Sequence, residues 1–174
     1  DGFDDVLGGG DRAWLDLDGG GGGSSELVNW TTGGFAGEIN THTWFGGQPG
    51  TANNVFQAAG DRMGDTVIVP VFNNYCETKD GDCPYYWHAE DTMVMSTSSV
   101  YFHVTSFALF HITCVDAPGV KLPAPLKSCP AKDLAVDAKI VKQNTPSIEG
   151  YFIKGYVPGL SGKPSEGVDA GAFV

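Results

Sequence analysis

Val100-Tyr-Phe-His-Val-Thr-Ser-Phe-Ala-Leu-Phe-His-Ile-Thr-Cys-Val115 is the longest strand signal in the chain. Val100, Phe102, Val104, Ala108, Phe110, Ile112 and Cys114 fall on one face of it. Tyr101, His103, Thr105, His111 and Thr113 fall on the other, with Phe107 and Leu109 between them. Alternation with a period of two, in β-branched and aromatic side chains, marks a strand in a sheet. A strand this long exceeds the usual range of about 3–10 residues, so a bend near Ser106 is predicted.

Upstream, Thr66–Phe72 (Thr-Val-Ile-Val-Pro-Val-Phe) is a second, strongly apolar strand. Pro70 has no N–H for a ladder, which calls for a sheet edge or a bulge. Arg12–Leu17 alternates as a half-buried strand, with Ala13, Leu15 and Leu17 on the core side. Downstream, Glu149–Val157 reads as the last strand. Two short helices are predicted between strands. One is capped by Ser24-Ser25-Glu26, carries Leu27, Val28 and Trp30, and stops at Gly33. The other is Ala52–Met63, with Val55, Phe56, Ala59 and Met63 near one face. The fold class is α+β, predominantly antiparallel β in a sandwich-like or curved sheet, with two short helices and long Gly/Pro-rich loops.

A chain of 174 residues suits one domain. Residues 41% hydrophobic can build a core, which argues against a disordered chain. The 25 glycines follow no G-x-y period, which excludes collagen. Net charge is −11, so phosphate is repelled and nucleic acid is not a predicted partner. Residues 1–118 carry 16 acids and 3 bases, net −13; residues 119–174 carry 5 acids and 7 lysines, net +2. The chain therefore divides into an acidic β-rich body with two short helices (1–118) and a Lys-bearing Pro/Gly-rich connector, final strand and tail (119–174). That second part belongs to the same domain or is exchanged with a neighbouring copy, its Glu149–Val157 strand adding to an edge near Pro70. A homo-oligomer or filament is the expected assembly. No run of 18 or more apolar residues is present, so no membrane span is predicted. The start has no basic n-region followed by an apolar run and reads as a processed end.

Four cysteines allow three pairings. Cys76 and Cys83 bracket a turn-rich hexapeptide, and Cys114 and Cys129 bracket a segment with three prolines. Each pair closes a short irregular loop, so two local disulfides are predicted: Cys76–Cys83 and Cys114–Cys129. Disulfides place a protein outside the cytosol.

Chemistry-bearing motifs are sparse. Gly19–Gly23 after a strand and before a helix imitates a phosphate-binding turn, yet no G-K-[ST] follows. Asp16 and Asp18, two apart on a strand, put both carboxylates on one face and are the candidate calcium ligands; no other cofactor is expected. His103 and His111 share a face but lie about 26 Å apart on a straight strand, too far to share a metal. His42 and His88 could meet only through folding. Neither a G-x-S-x-G elbow nor an H-E-x-x-H motif occurs, and the reading is not an enzyme. Trp44, Tyr85, Tyr86 and Trp87 are an aromatic loop set suited to stacking on sugars or anchoring a partner.

The block Asp11-Arg-Ala-Trp-Leu-Asp-Leu-Asp-Gly-Gly-Gly-Gly-Gly, with Glu26, Leu27 and Trp30, is followed by Gly50-Thr-Ala-Asn-Asn54, Thr66–Phe72 and Ser106-Phe-Ala-Leu-Phe-His-Ile-Thr113. This ordered set resembles the C-terminal extracytoplasmic region of TadE/TadG-like proteins of Tad (Flp) pilus systems. The resemblance runs from about residue 10 to residue 115, with Ser106 and Cys114 standing where glycines are expected. It implies a bacterial, exported, cell-surface structural protein: a pilus- or filament-associated subunit or assembly component, with other envelope or pilus components as partners, and it carries over no catalytic residue. The rival from another class is an extracellular carbohydrate- or calcium-dependent binding module.

Overall fold

The computed structural model describes residues 13–21, 23–49, 53–78, 90–130 and 146–154. In chain order the elements are β1 (Ala13–Asp16), α1 (Ser24–Gly33), β2 (Thr43–Pro49), α2 (Asn53–Gly60), β3 (Thr66–Glu77), β4 (Thr92–Val94), β5 (Val100–Asp116) and β6 (Ser147–Ile153). The six strands form one sheet. The α+β, mainly antiparallel architecture is therefore as expected, with one sheet among the described residues.

β5 is the hub. One of its edges pairs with β3 from Val100 to His111. The other pairs first with β2, through Tyr101–Val104, and then with β6, through Leu109–Asp116. The far edge of β2 is shared by β1 and β4. Every pairing is antiparallel except β2 with β4. Among the described residues β3 has β5 as its single neighbour, so Pro70 sits on an edge strand as its missing N–H requires.

β5 is 17 residues long and does not run unbroken. Val71 faces Ser106 and Phe72 faces Val104, so Thr105 is an extra residue in β5. Phe72 faces Val104 and Asn74 faces His103, so Asn73 is an extra residue in β3. These neighbouring β-bulges interrupt the ladder where the strand's length predicted a bend. They also change the alternation. Val67, Val69, Phe110 and Ile112 face α2, whereas Thr66, Ile68, Leu109 and His111 face away. Across the insertions Phe102 and Val104 join the outward side, and Tyr101 and His103 the other. The expectation that Phe102, Val104, Phe110 and Ile112 share a face is thus corrected, as is the shared face of His103 and His111.

The main core lies between α2 and the sheet. Phe56 and Ala59 pack on Phe110, Ile112 and Val115, with Trp14, Val67, Val69, Val120 and Ile148 around them. Trp14 meets Phe56 edge-on at 5.5 Å between centroids. This corrects the reading of β1: Trp14 packs on the core and Asp16 is its fully buried residue, while Leu15 and Leu17 are half-buried. α2 ends at Gly60 instead of Met63, where a Cβ would come within 2.8 Å of Val120. α1 begins at Ser24, but its N-cap is Gly23, with no side-chain cap. Its stop is Gly34, at φ +84°, whose N–H donates to the Trp30 carbonyl at 2.9 Å. The Arg62 guanidinium donates to the carbonyls of Thr31 and Thr32, both at 3.1 Å, which satisfies the free end of α1 and ties it to the α2 turn.

Cys114 is joined to Cys129, as the loop spacing predicts. Cys76 is disulfide-bonded too, and no cysteine among the described residues is free; Cys83, its expected partner, lies outside them. β6 ends at Ile153 and pairs with β5 of its own chain; residues 155–157 of the predicted strand lie outside the described residues. No helix of the described residues is long and apolar enough to cross a membrane.

Candidate functional site

The glycine-rich turn after β1 does hold an anion, and that anion is part of the chain. The Asp16 carboxylate accepts the Gly19 N–H at 3.0 Å and the Gly21 N–H at 3.2 Å. Gly19 (φ +76°) and Gly21 (φ +64°) have the left-handed conformation that aims successive N–H groups inward. At Gly19 a side chain would also collide with the Met95 carbonyl oxygen beyond β4. Asp18 is exposed and accepts the Gly20 N–H at 2.8 Å. Asp16 and Asp18 therefore do not present two carboxylates on one face: β1 ends at Asp16, and the turn sends the two side chains to different environments. Glu26, on the first turn of α1, completes the acidic neighbourhood. Partial desolvation, then the charges of Asp18 and Asp16, hold its carboxyl above the ordinary 4.5.

Of the aromatic loop set, Trp44 alone lies among the described residues. Trp44 is 1% exposed, packed with Cys76, Tyr101 and Met93 in a second small core. Its place in β2, beside β4 and β5, buries it, so its assignment to a contact surface is corrected. Tyr85, Tyr86 and Trp87 lie outside the described residues, as does His88.

Folding assembles a cluster that the sequence did not disclose. His42, Asp91 and His103 bring their ligating atoms within 4.8 Å of one another. His103 Nε2 is 3.2 Å from Asp91 Oδ1, and His42 Nδ1 is 3.9 Å from the same oxygen. Three strands position them. His103 lies on β5 opposite Trp44 of β2, and the two rings stack at 4.8 Å and 24°. His42 immediately precedes β2, and Asp91 immediately precedes β4. The parallel pairing of those strands sets them side by side: the Thr92 N–H donates to the His42 carbonyl at 2.8 Å, and the Thr43 and Thr92 hydroxyls are 2.8 Å apart. The extra residue of the β3 bulge, Asn73, turns its Oδ1 to His103 Nδ1 at 2.8 Å. His103 and Asp91 are buried, whereas the His42 side chain is 47% exposed and opens the cluster to solvent. His42 has φ +58°, an uncommon conformation for a residue with a Cβ. Nothing in the local sequence signals this cluster, because β2 and β4 meet only through the sheet.

The outward face of the sheet is the other notable surface. Along edge strand β3, Ile68, Phe72 and Tyr75 are 51%, 47% and 46% exposed. Phe72 and Tyr75 pack against Phe102 behind them. Leu109 separates Ile68 from Ile153 of β6, and Tyr151 stands beside His111 at 5.0 Å. α2 covers the opposite face. Compared with protein-family models, with curated proteins and with solved structures, the chain matches none.

Proposed function

We propose that this chain is an exported bacterial cell-surface structural domain, a pilus- or filament-associated subunit or assembly component, and that it acts by associating with copies of itself. The observation that carries this reading is the apolar outward face of edge strand β3. Ile68, Phe72 and Tyr75 form a half-exposed row on a strand with one free edge among the described residues. Such a row combines a ladder open to pairing with apolar area to bury. A contact from this edge to a different patch on the next copy is heterologous and propagates into rings or filaments. The opposed charges of residues 1–118 and 119–174 favour that head-to-tail register. The Cys114–Cys129 disulfide supports an oxidising, extracytoplasmic setting, and the resemblance to TadE/TadG-like regions points the same way.

The test is the size of the oxidised full chain, by light scattering and by electron microscopy of native material. Concentration-dependent assemblies are expected, and Ile68→Lys, on an exposed side chain, is expected to disperse them with an unchanged circular dichroism spectrum. A full chain that stays monomeric at high concentration and in native extracts overturns the reading. Assemblies of unaltered size in Ile68→Lys overturn the assignment of the β3 face.

A further inference from the structure

We propose that His42, Asp91 and His103 form a binding site for one divalent transition-metal ion of the zinc type. Two imidazoles and one carboxylate are a donor set for borderline metals; calcium and magnesium favour all-oxygen shells. The spacing suits a shared ion. Two ligands at 2.0–2.1 Å from a tetrahedral ion stand about 3.3 Å apart, and His103 Nε2 to Asp91 Oδ1 is 3.2 Å. His42 Nδ1 is 3.9 Å from Asp91 Oδ1 and the three donor atoms lie within 4.8 Å of one another, so a movement of the exposed His42 side chain by up to about 1.5 Å closes the set.

The supporting contacts prepare the donors. With Asn73 Oδ1 accepting from His103 Nδ1–H, the other ring nitrogen, Nε2, is the one aimed at Asp91. The 3.2 Å gap between His103 Nε2 and Asp91 Oδ1 is bridged by a proton on the ring when no metal is bound, and a metal ion takes that proton's place on binding. Fixing the far nitrogen of a ligating histidine in this way is the usual device for orienting it. The stacked Trp44 ring holds the His103 plane and keeps water from that side. His42 is held at φ +58° by the carbonyl bond to Thr92, so its imidazole is presented to Asp91 by a backbone conformation that few residues adopt. Uncommon backbone conformations held by their surroundings cluster at functional sites. Three protein ligands and an exposed approach past His42 leave a fourth position for water or a partner's group.

This inference does not depend on self-association. Full chain treated with chelator and dialysed is titrated with Zn²⁺ by calorimetry, and in parallel with Co²⁺, whose visible absorption reports its ligands. One equivalent of Zn²⁺ is expected to bind and to raise the melting temperature, while Ca²⁺ produces neither effect. His42→Gly removes an exposed imidazole and suits the positive φ, so the fold is retained and Zn²⁺ affinity is expected to fall at least tenfold. Absence of stoichiometric Zn²⁺ binding by the unaltered chain, or His42→Gly binding as tightly with the same Co²⁺ spectrum, overturns the proposal.

Discussion

Asp16 shows how a single residue can look like a ligand and serve as a staple. Its carboxylate is fully buried and takes two backbone N–H groups of the turn that follows β1. Replacing it leaves those donors without their acceptor in a part-buried turn, at a cost of about 1 kcal/mol and at most about 3 kcal/mol. Asp16→Ala is therefore expected to lower the unfolding free energy measured by urea titration by that amount, and Asp16→Asn, which keeps one acceptor oxygen, by less. Chelator should leave the unaltered chain's glycine turn and its share of stability unchanged; a large chelator effect that Asp16→Ala abolishes would restore the calcium reading. The spacing of Asp16 and Asp18 was visible in the sequence, but the destination of each carboxylate was not. It depends on where β1 stops and how Gly19 and Gly21 turn.

Among the elements, β5 organises the rest, and its partner β6 is fitted to it closely. Gly150 lies across from Ile112. A Cβ there would strike the His111 carbonyl oxygen and lie 2.6 Å from the Phe110 ring. A ladder carbonyl cannot swing aside as a flexible side chain can. Gly150→Ala is expected to destabilise by about 1–3 kcal/mol, the usual scale of overpacking, and to weaken near-ultraviolet dichroism from Phe110 and its neighbours. Gly33 is the control: open space surrounds the position, so Gly33→Ala is expected to be neutral or stabilising by up to about 1 kcal/mol. Thermal melts of the two variants separate these outcomes. The existence of β3 and β5 was legible because their alternation is local. The offsets at Thr105 and Asn73 were not, because a bulge is defined by the strand opposite.

For the whole molecule, the Cys114–Cys129 bond ties the end of β5 to the proline-rich connector, 15 residues along the chain. Closing a loop of that length restricts the unfolded chain by about 3 kcal/mol in the chain-entropy account. A Cys114→Ser, Cys129→Ser double variant is expected to lose stability on that scale in denaturant titration, and a loss near zero would show that the connector is held by packing instead. This pairing, the α+β class and the choice of an edge or a bulge for Pro70 could all be read from the sequence alone. Each follows from near neighbours along the chain: a short loop between cysteines, side chains alternating with a period of two, a missing N–H. The tertiary structure alone decided which faces of β5 are inward, why Trp44 is buried, and that His42, Asp91 and His103 meet. Those outcomes rest on contacts between distant segments, such as the Thr43 and Thr92 hydroxyls, 49 residues apart. A local pattern states which residues can form a strand; only its neighbours state which side of that strand faces the core.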